Sequence, residues 1–186
     1  DCGRELCKRN CVNVGAGYQP ARVPKGQNCT GFGLAADGRV TDPPLQKGCM
    51  IMTPEKLVEL AKEAMTHAYV PYSGYKVGAA LLCADGTVYQ GCNIENAAYG
   101  PTNCAERTAF FKAVYDGHRD FVSIAVCGGK DGVITGGFPP CGVCRQVMRE
   151  FCEDDFIIYM INPEGYEAKT LAELLPYSFK ASEHMA

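Results

Sequence analysis

The sequence predicts an α/β fold, a three-layer α/β/α sandwich on a mixed five-stranded sheet. Three observations lead there. Short apolar runs of strand type alternate with segments of helical periodicity. An Asp85-Gly86 turn joins two of those runs as a hairpin, and two cysteine motifs each stand where a helical segment begins. A chain of 186 residues suffices for one domain with a real core plus an appendage.

Residues 1–48 contain twelve Gly or Pro and seven basic against four acidic residues, and they read as a flexible N-terminal extension rich in Gly, Pro and Cys. Cys2, Cys7, Cys11 and Cys29 lack the Cys-x-x-Cys spacing of a second zinc site. Asn28-Cys29-Thr30 matches a glycosylation sequon, which matters only in a secreted chain. Leu34 to Val40 echoes Leu82 to Val88 around an Asp-Gly pair, a likeness too short to indicate a duplicated domain.

The folded domain is expected over 49–180, followed by a tail over 181–186. Thr53-Pro54 is an N-cap followed by proline at the first helical position. Leu57, Leu60, Ala61, Ala64, Met65 and Ala68 then recur at helical spacing to about Tyr69, before Pro71 stops the helix. Tyr75 to Cys83 and Thr87 to Asn93 read as the hairpin strands. Cys104 to about Asp116 reads as a helix stopped by Gly117, and Phe121 to Cys127 as a buried strand. A Gly-Pro-rich loop from Gly128 to Pro140 leads into a helix over Cys141 to Cys152. Phe156 to Ile161 and Tyr166 to Thr170 are the last strands, and Leu171 starts a terminal helix. His67 reads as a surface or packing residue on the first helix.

A net charge of −3 argues against a surface that coats nucleic acid, though not against a small nucleoside. No apolar run approaches the ~20 residues that span a membrane, and no signal-peptide pattern opens the chain. The twelve cysteines fit a reducing cytoplasm better than a disulfide scaffold, because three are accounted for by metal. Cys83, Cys92 and Cys127 fall in apolar strands as ordinary buried thiols.

The chemistry concentrates in Thr102-Asn103-Cys104-Ala105-Glu106-Arg107 and Pro140-Cys141-Gly142-Val143-Cys144-Arg145-Gln146. Cys104, Cys141 and Cys144 can bind Zn²⁺ as thiolates and leave the fourth tetrahedral position open, as a catalytic site requires. Zinc lowers the pKa of bound water from 15.7 to roughly 7. Glu106, two residues from Cys104, can shuttle that water's proton without being a ligand, a role worth about 10²–10⁴-fold. Three thiolates on one zinc leave a net charge of −1. Arg107 and Arg145 each follow a proposed ligand and are expected to donate to the sulfurs, restoring part of the positive charge. A lone Cys-x-x-Cys is more often a structural zinc or redox pair, and a lone Cys-x-Glu means almost nothing. Both together, in this order, form the three-cysteine zinc deaminase arrangement.

From about Met52 to Phe179 the chain resembles the small, homotetrameric, zinc-dependent cytidine deaminases. The likeness runs through Val70 to Leu82, Gly91 to Tyr99, both cysteine motifs and Glu173 to Phe179. It implies hydrolytic deamination of cytidine and 2′-deoxycytidine to the uridines with release of ammonia, as in pyrimidine salvage. One Zn²⁺ per subunit is implied, with nucleoside sites at the subunit interfaces of a homotetramer and no nucleic-acid or membrane partner. Asn93 and Glu95 match the pair that hydrogen-bonds the ribose, although an isolated Asn-x-Glu would read as solvated loop. Tyr75 stands where the family has a phenylalanine that stacks on the pyrimidine. Ala105 and Glu106 would present backbone N–H groups to the pyrimidine carbonyl. Tyr99 and Phe179 match aromatics that reach a neighbouring subunit's site. A relative acting on the nucleoside antibiotic blasticidin S shares the three-cysteine site, but Asn93-Ile94-Glu95-Asn96 favours a plain ribose. Polynucleotide cytosine deaminases typically use His-x-Glu, which is not found at His67, His118 or His184. From a different class, a catalytically idle zinc module is a further alternative, against which the intact Glu106 speaks.

Overall fold

Thr53 opens the first helix as the sequence predicts. Its Oγ1 accepts from the Lys56 N–H at 3.3 Å, and Pro54 occupies the first helical position of α1 (Pro54–Met65). This is a computed structural model, and it describes residues 52–180 together with Asn13–Val14 and Gly17–Tyr18. The chain divides into two compact units, Asp1–Met52 and Thr53–Ala186. In the first, Asn13–Val14 (β1) pairs antiparallel with Gly17–Tyr18 (β2). The remainder of the expected extension, and the tail over 181–186, lie outside the described residues.

The second unit contains β3 (Tyr75–Cys83), β4 (Val88–Cys92), α2 (Ala105–Tyr115), β5 (Phe121–Lys130), α3 (Gly142–Phe151), β6 (Ile157–Asn162), β7 (Gly165–Thr170) and α4 (Leu171–Leu174). The five strands form one sheet in the order β4-β3-β5-β6-β7. All neighbours are antiparallel except β5 and β6, which run parallel with α3 in the connection between them. The mixed five-stranded sheet expected from the sequence is therefore present.

Alternation along β3 sorts its side chains to two faces. Val77, Ala79, Leu81 and Cys83 join a buried cluster with Ala105, Ala109 and Phe110 of α2, Cys144 and Met148 of α3, and Leu171 of α4. On the opposite face α1 presses so close at Gly78 that an added Cβ would lie 2.2 Å from the Ala61 carbonyl oxygen. Gly91 of β4 lets α2 approach in the same way, with the Ala105 carbonyl oxygen 2.3 Å from where a Cβ would stand. The two glycines set the spacing of the outer layers on the sheet.

Two boundaries differ from the sequence reading by more than one residue. α1 ends at Met65 rather than about Tyr69, because Tyr69 leaves the helix to bridge Ile94, donating to the Asn93 carbonyl at 3.0 Å and accepting from the Glu95 N–H at 2.9 Å. β5 runs on to Lys130 rather than stopping near Cys127, because Gly128, Gly129 and Lys130 pair with Val77, Lys76 and Tyr75. No helix among the described residues is long and apolar enough to cross a membrane.

Candidate active site and metal centre

Cys104 is the N-cap residue of α2 and Cys141 that of α3, both with extended backbone dihedrals. Neither sulfur caps its own helix by hydrogen bonding, so both remain available to another centre. Cys144 lies one turn into α3 and is buried. Two helix N-termini thus meet with three sulfurs between them, where their positive dipole ends favour anionic sulfur.

Cys104 Sγ lies 3.8 Å from Cys141 Sγ, and Cys141 Sγ lies 3.5 Å from Cys144 Sγ. Sulfurs at about 2.3 Å from a tetrahedral zinc stand roughly 3.8 Å apart. All three fall within 4.8 Å of one another, so the donor set fits a single Zn²⁺ in kind and in spacing. Hydrogen bonding from Cys144 first, and then from Arg107, holds the Cys104 thiol well below the ordinary thiol range.

Glu106, in the first turn of α2, is only 3 % exposed. Burial pushes its carboxyl up to about 7. It sits beside the sulfurs without belonging to the cluster of ligating atoms, which consists of Cys104, Cys141 and Cys144. Ala105, fully buried, precedes it at the first position of the helix.

The two arginines differ. Arg107 Nη2 donates to Cys104 Sγ at 3.7 Å and to the Thr102 carbonyl at 3.1 Å. Arg145 departs from the expectation. Its Nε donates to the Pro140 carbonyl at 2.7 Å and its Nη1 to the Leu174 carbonyl at 2.6 Å. These two acceptors tie the guanidinium to the loop that enters α3 and to the end of α4, and no hydrogen bond from it to a sulfur is found among the described residues.

Asn93 and Glu95 flank Ile94, which exchanges backbone hydrogen bonds with Asn103, the residue before Cys104. The Asn93 amide is buried and bonded at both ends: Oδ1 accepts from the Val77 N–H at 2.9 Å and Nδ2 donates to the Tyr75 carbonyl at 2.8 Å. It therefore pins the start of β3, which carries Tyr75. Glu95 Oε2 accepts from the N–H groups of Tyr72 at 3.0 Å and Ser73 at 3.2 Å, and the Ser73 hydroxyl donates to Oε1. The Ser73 hydroxyl is the leading influence that holds the Glu95 carboxyl below its usual range. Tyr75 is exposed.

Tyr99 is 77 % exposed, adopts φ +57°, and has its ring 6.5 Å from that of Tyr72. Phe179 is exposed, and its carbonyl accepts from Gln146 Nε2 at 3.0 Å. Ser73 and Gln146 are two contacts that reasoning on the sequence did not single out. Both sit inside the motifs that carry the resemblance, but their partners lie 22 and 33 positions away, and no local pattern shows such pairings.

Residues 51–160 match the family described as "Cytidine and deoxycytidylate deaminase zinc-binding region". A cytidine deaminase from Sporosarcina psychrophila is 53% identical over 71% of this chain and 95% of its own length. One from Halalkalibacterium halodurans is 50% identical over 71% of this chain and 98% of its own. The crystal structure of cytidine deaminase from Burkholderia pseudomallei superposes with a TM-score of 0.64 at 46% identity, covering 69% of this chain and 100% of that one. With its matching fold, its three-sulfur centre and these relatives, the chain belongs to the cytidine and deoxycytidylate deaminase zinc-binding family.

Proposed function

We propose that this chain deaminates cytidine and 2′-deoxycytidine hydrolytically, giving uridine and 2′-deoxyuridine and releasing ammonia, as a step of pyrimidine salvage in the cytoplasm. The observation that carries the reading is the buried Glu106 carboxyl one helical position beyond Ala105 and next to the Cys104, Cys141 and Cys144 sulfurs. The relatives named above bear the same activity in their names.

Zinc held by the three cysteines supplies Lewis acidity, which makes water a nucleophile at neutral pH. The chain's own groups do the rest. A Glu106 Oε accepts a proton from the attacking water as oxygen adds to C4 of the pyrimidine, and passes it to N3. The same carboxylate then moves the remaining proton of that oxygen to the 4-amino group, which departs as ammonia and leaves a carbonyl at C4. Burial of Glu106 excludes bulk water from this exchange. The Ala105 N–H, at the start of α2, is free of an intrahelical partner and donates to the pyrimidine carbonyl. Tyr75 offers its ring face to the base.

Asn93 retains one amide hydrogen, and Glu95 retains carboxylate lone pairs, beyond the bonds they already make. These are the groups assigned to the ribose hydroxyls. Arg107 offsets charge at Cys104, whereas Arg145 fixes the loop that presents Cys141. The exposure of Tyr99 and Phe179 supports a homotetramer in which each reaches a neighbouring subunit's site. The test is product stoichiometry. Zinc-loaded protein incubated with either nucleoside is expected to release ammonia and the uridine in equal amounts. No ammonia from folded, zinc-loaded protein rejects these substrates.

A further inference from the structure

A second cluster of metal-ligating side chains lies at the far end of β3 from Tyr75. Cys83 Sγ, an Asp85 carboxylate oxygen and a His118 ring nitrogen all fall within 4.8 Å of one another. They come from two segments that the fold brings together. Cys83 ends β3 at a register shift against β5, and such bulges re-aim side chains. Asp85 follows in the tight turn, where its Oδ1 accepts from the Thr87 N–H at 2.9 Å. His118 follows α2, and Gly117 at φ +98° turns the chain so that the imidazole folds back over that turn.

The hydrogen-bond inventory fixes which nitrogen of His118 faces the cluster. The single Tyr89 hydroxyl proton goes to Asp116 Oδ2 at 2.9 Å, because a carboxylate can only accept. His118 Nδ1, 3.1 Å from the same hydroxyl oxygen, must then be the donor to it. That leaves Nε2 as the ring nitrogen that faces the cluster, 3.0 Å from Asp85 Oδ2. What bridges that separation is a positive centre, either a ring proton or a metal ion. Cys83, only 1 % exposed and with no hydrogen bond from its thiol among the described residues, forms the floor beneath them, while Asp85 opens to solvent.

We propose that Cys83 Sγ, Asp85 Oδ2 and His118 Nε2 bind a divalent transition ion, zinc or a metal of similar preference, at a site separate from the three-cysteine centre. One sulfur, one imidazole nitrogen and one carboxylate oxygen form a mixed set suited to such an ion, with the fourth position turned to water. Tyr89 and Asp116 orient His118 from behind, as partners of a metal-binding imidazole do. Binding replaces the Cys83 thiol proton with the metal, and that proton passes to solvent. The bound ion fastens the β3–β4 turn to the C-terminal end of α2, the helix that carries Cys104 and Glu106 at its other end. The site has a structural role, and the proposed reaction does not pass through it.

The test counts zinc per full-length chain after saturation and dialysis, by elemental analysis, in the parent and in His118→Asn and Asp85→Asn. Each variant is expected to hold one zinc fewer than the parent, a difference to which every other cysteine of the chain contributes equally. Equal counts overturn the proposal and leave a proton shared between His118 and Asp85. A loss of more than one zinc, or failure to fold, passes the decision to Tyr89→Phe, which keeps all three donors. Its weakest-held zinc is expected to bind about 10–100-fold less tightly than the parent's, and unchanged affinity overturns the proposal.

Discussion

Arg107 Nη2 holds both Cys104 Sγ and the Thr102 carbonyl, so one guanidinium ties a metal-binding sulfur to the loop that delivers it. Its loss removes a positive charge facing a thiolate and releases that loop. Arg107→Ala is expected to lower zinc affinity or turnover by about 10–100-fold, measured by chelator competition and initial rates. Arg145→Ala leaves the sulfurs without any change of hydrogen-bond partner, and its effect should appear in stability instead. The contrast between the arginines shows what was legible at this scale. Residue type and spacing identified both, Arg107 three positions after Cys104 and Arg145 directly after Cys144. Which acceptor a long side chain chooses depends on carbonyls such as Leu174, 29 positions away, which spacing does not show. Asn93 is a similar case. Its motif marked it as a ribose contact, while the structure adds that it holds Tyr75 and Val77 in place.

At the scale of elements, α2 reaches the site because Gly91 lets it lie directly on β4. A Cβ at Gly91 would stand 2.3 Å from the Ala105 carbonyl oxygen and 2.6 Å from the Ala109 nitrogen, both backbone atoms that cannot turn aside. Gly91→Ala is expected to cost about 3 kcal/mol, the upper end of overpacking, and to lift Cys104 and Glu106 with the helix. Urea denaturation and zinc content measure the two effects together. A variant as stable as the parent would show that the helix shifts freely. Helix starts were legible because Thr53-Pro54 and the cysteine motifs carry local signals. Strand β5 was read short because Gly128 and Gly129 resemble loop glycines. Their lack of Cβ serves close packing instead, with the Phe138 ring 2.8 Å from a Cβ at Gly128.

At the scale of the whole molecule, the matched region accounts for 95% and 98% of the length of two relatives. A chain beginning at Cys49 is therefore expected to fold, to retain turnover within about twofold of the full chain, and to migrate as an assembly four times its own mass. Light scattering and initial rates test both. A monomer with full activity would contradict the subunit-spanning role given to Tyr99 and Phe179. Fold class was legible from the alternation of strands and helices, whereas the proposed tetramer came from the resemblance alone, because a single chain's sequence carries no local signal for its neighbours.

The central claim is that Glu106 moves protons for a reaction at a zinc held by Cys104, Cys141 and Cys144. The most direct measurement follows the ultraviolet absorbance of cytidine with the parent, Glu106→Gln and Cys141→Ala, beside the zinc content of each. The account predicts loss of the cytidine signal with the parent alone. Glu106→Gln should keep its zinc and fall by about 10²–10⁴-fold in rate, and Cys141→Ala should lose the zinc. Turnover by Glu106→Gln close to the parent's would contradict the assignment of Glu106 as the proton shuttle.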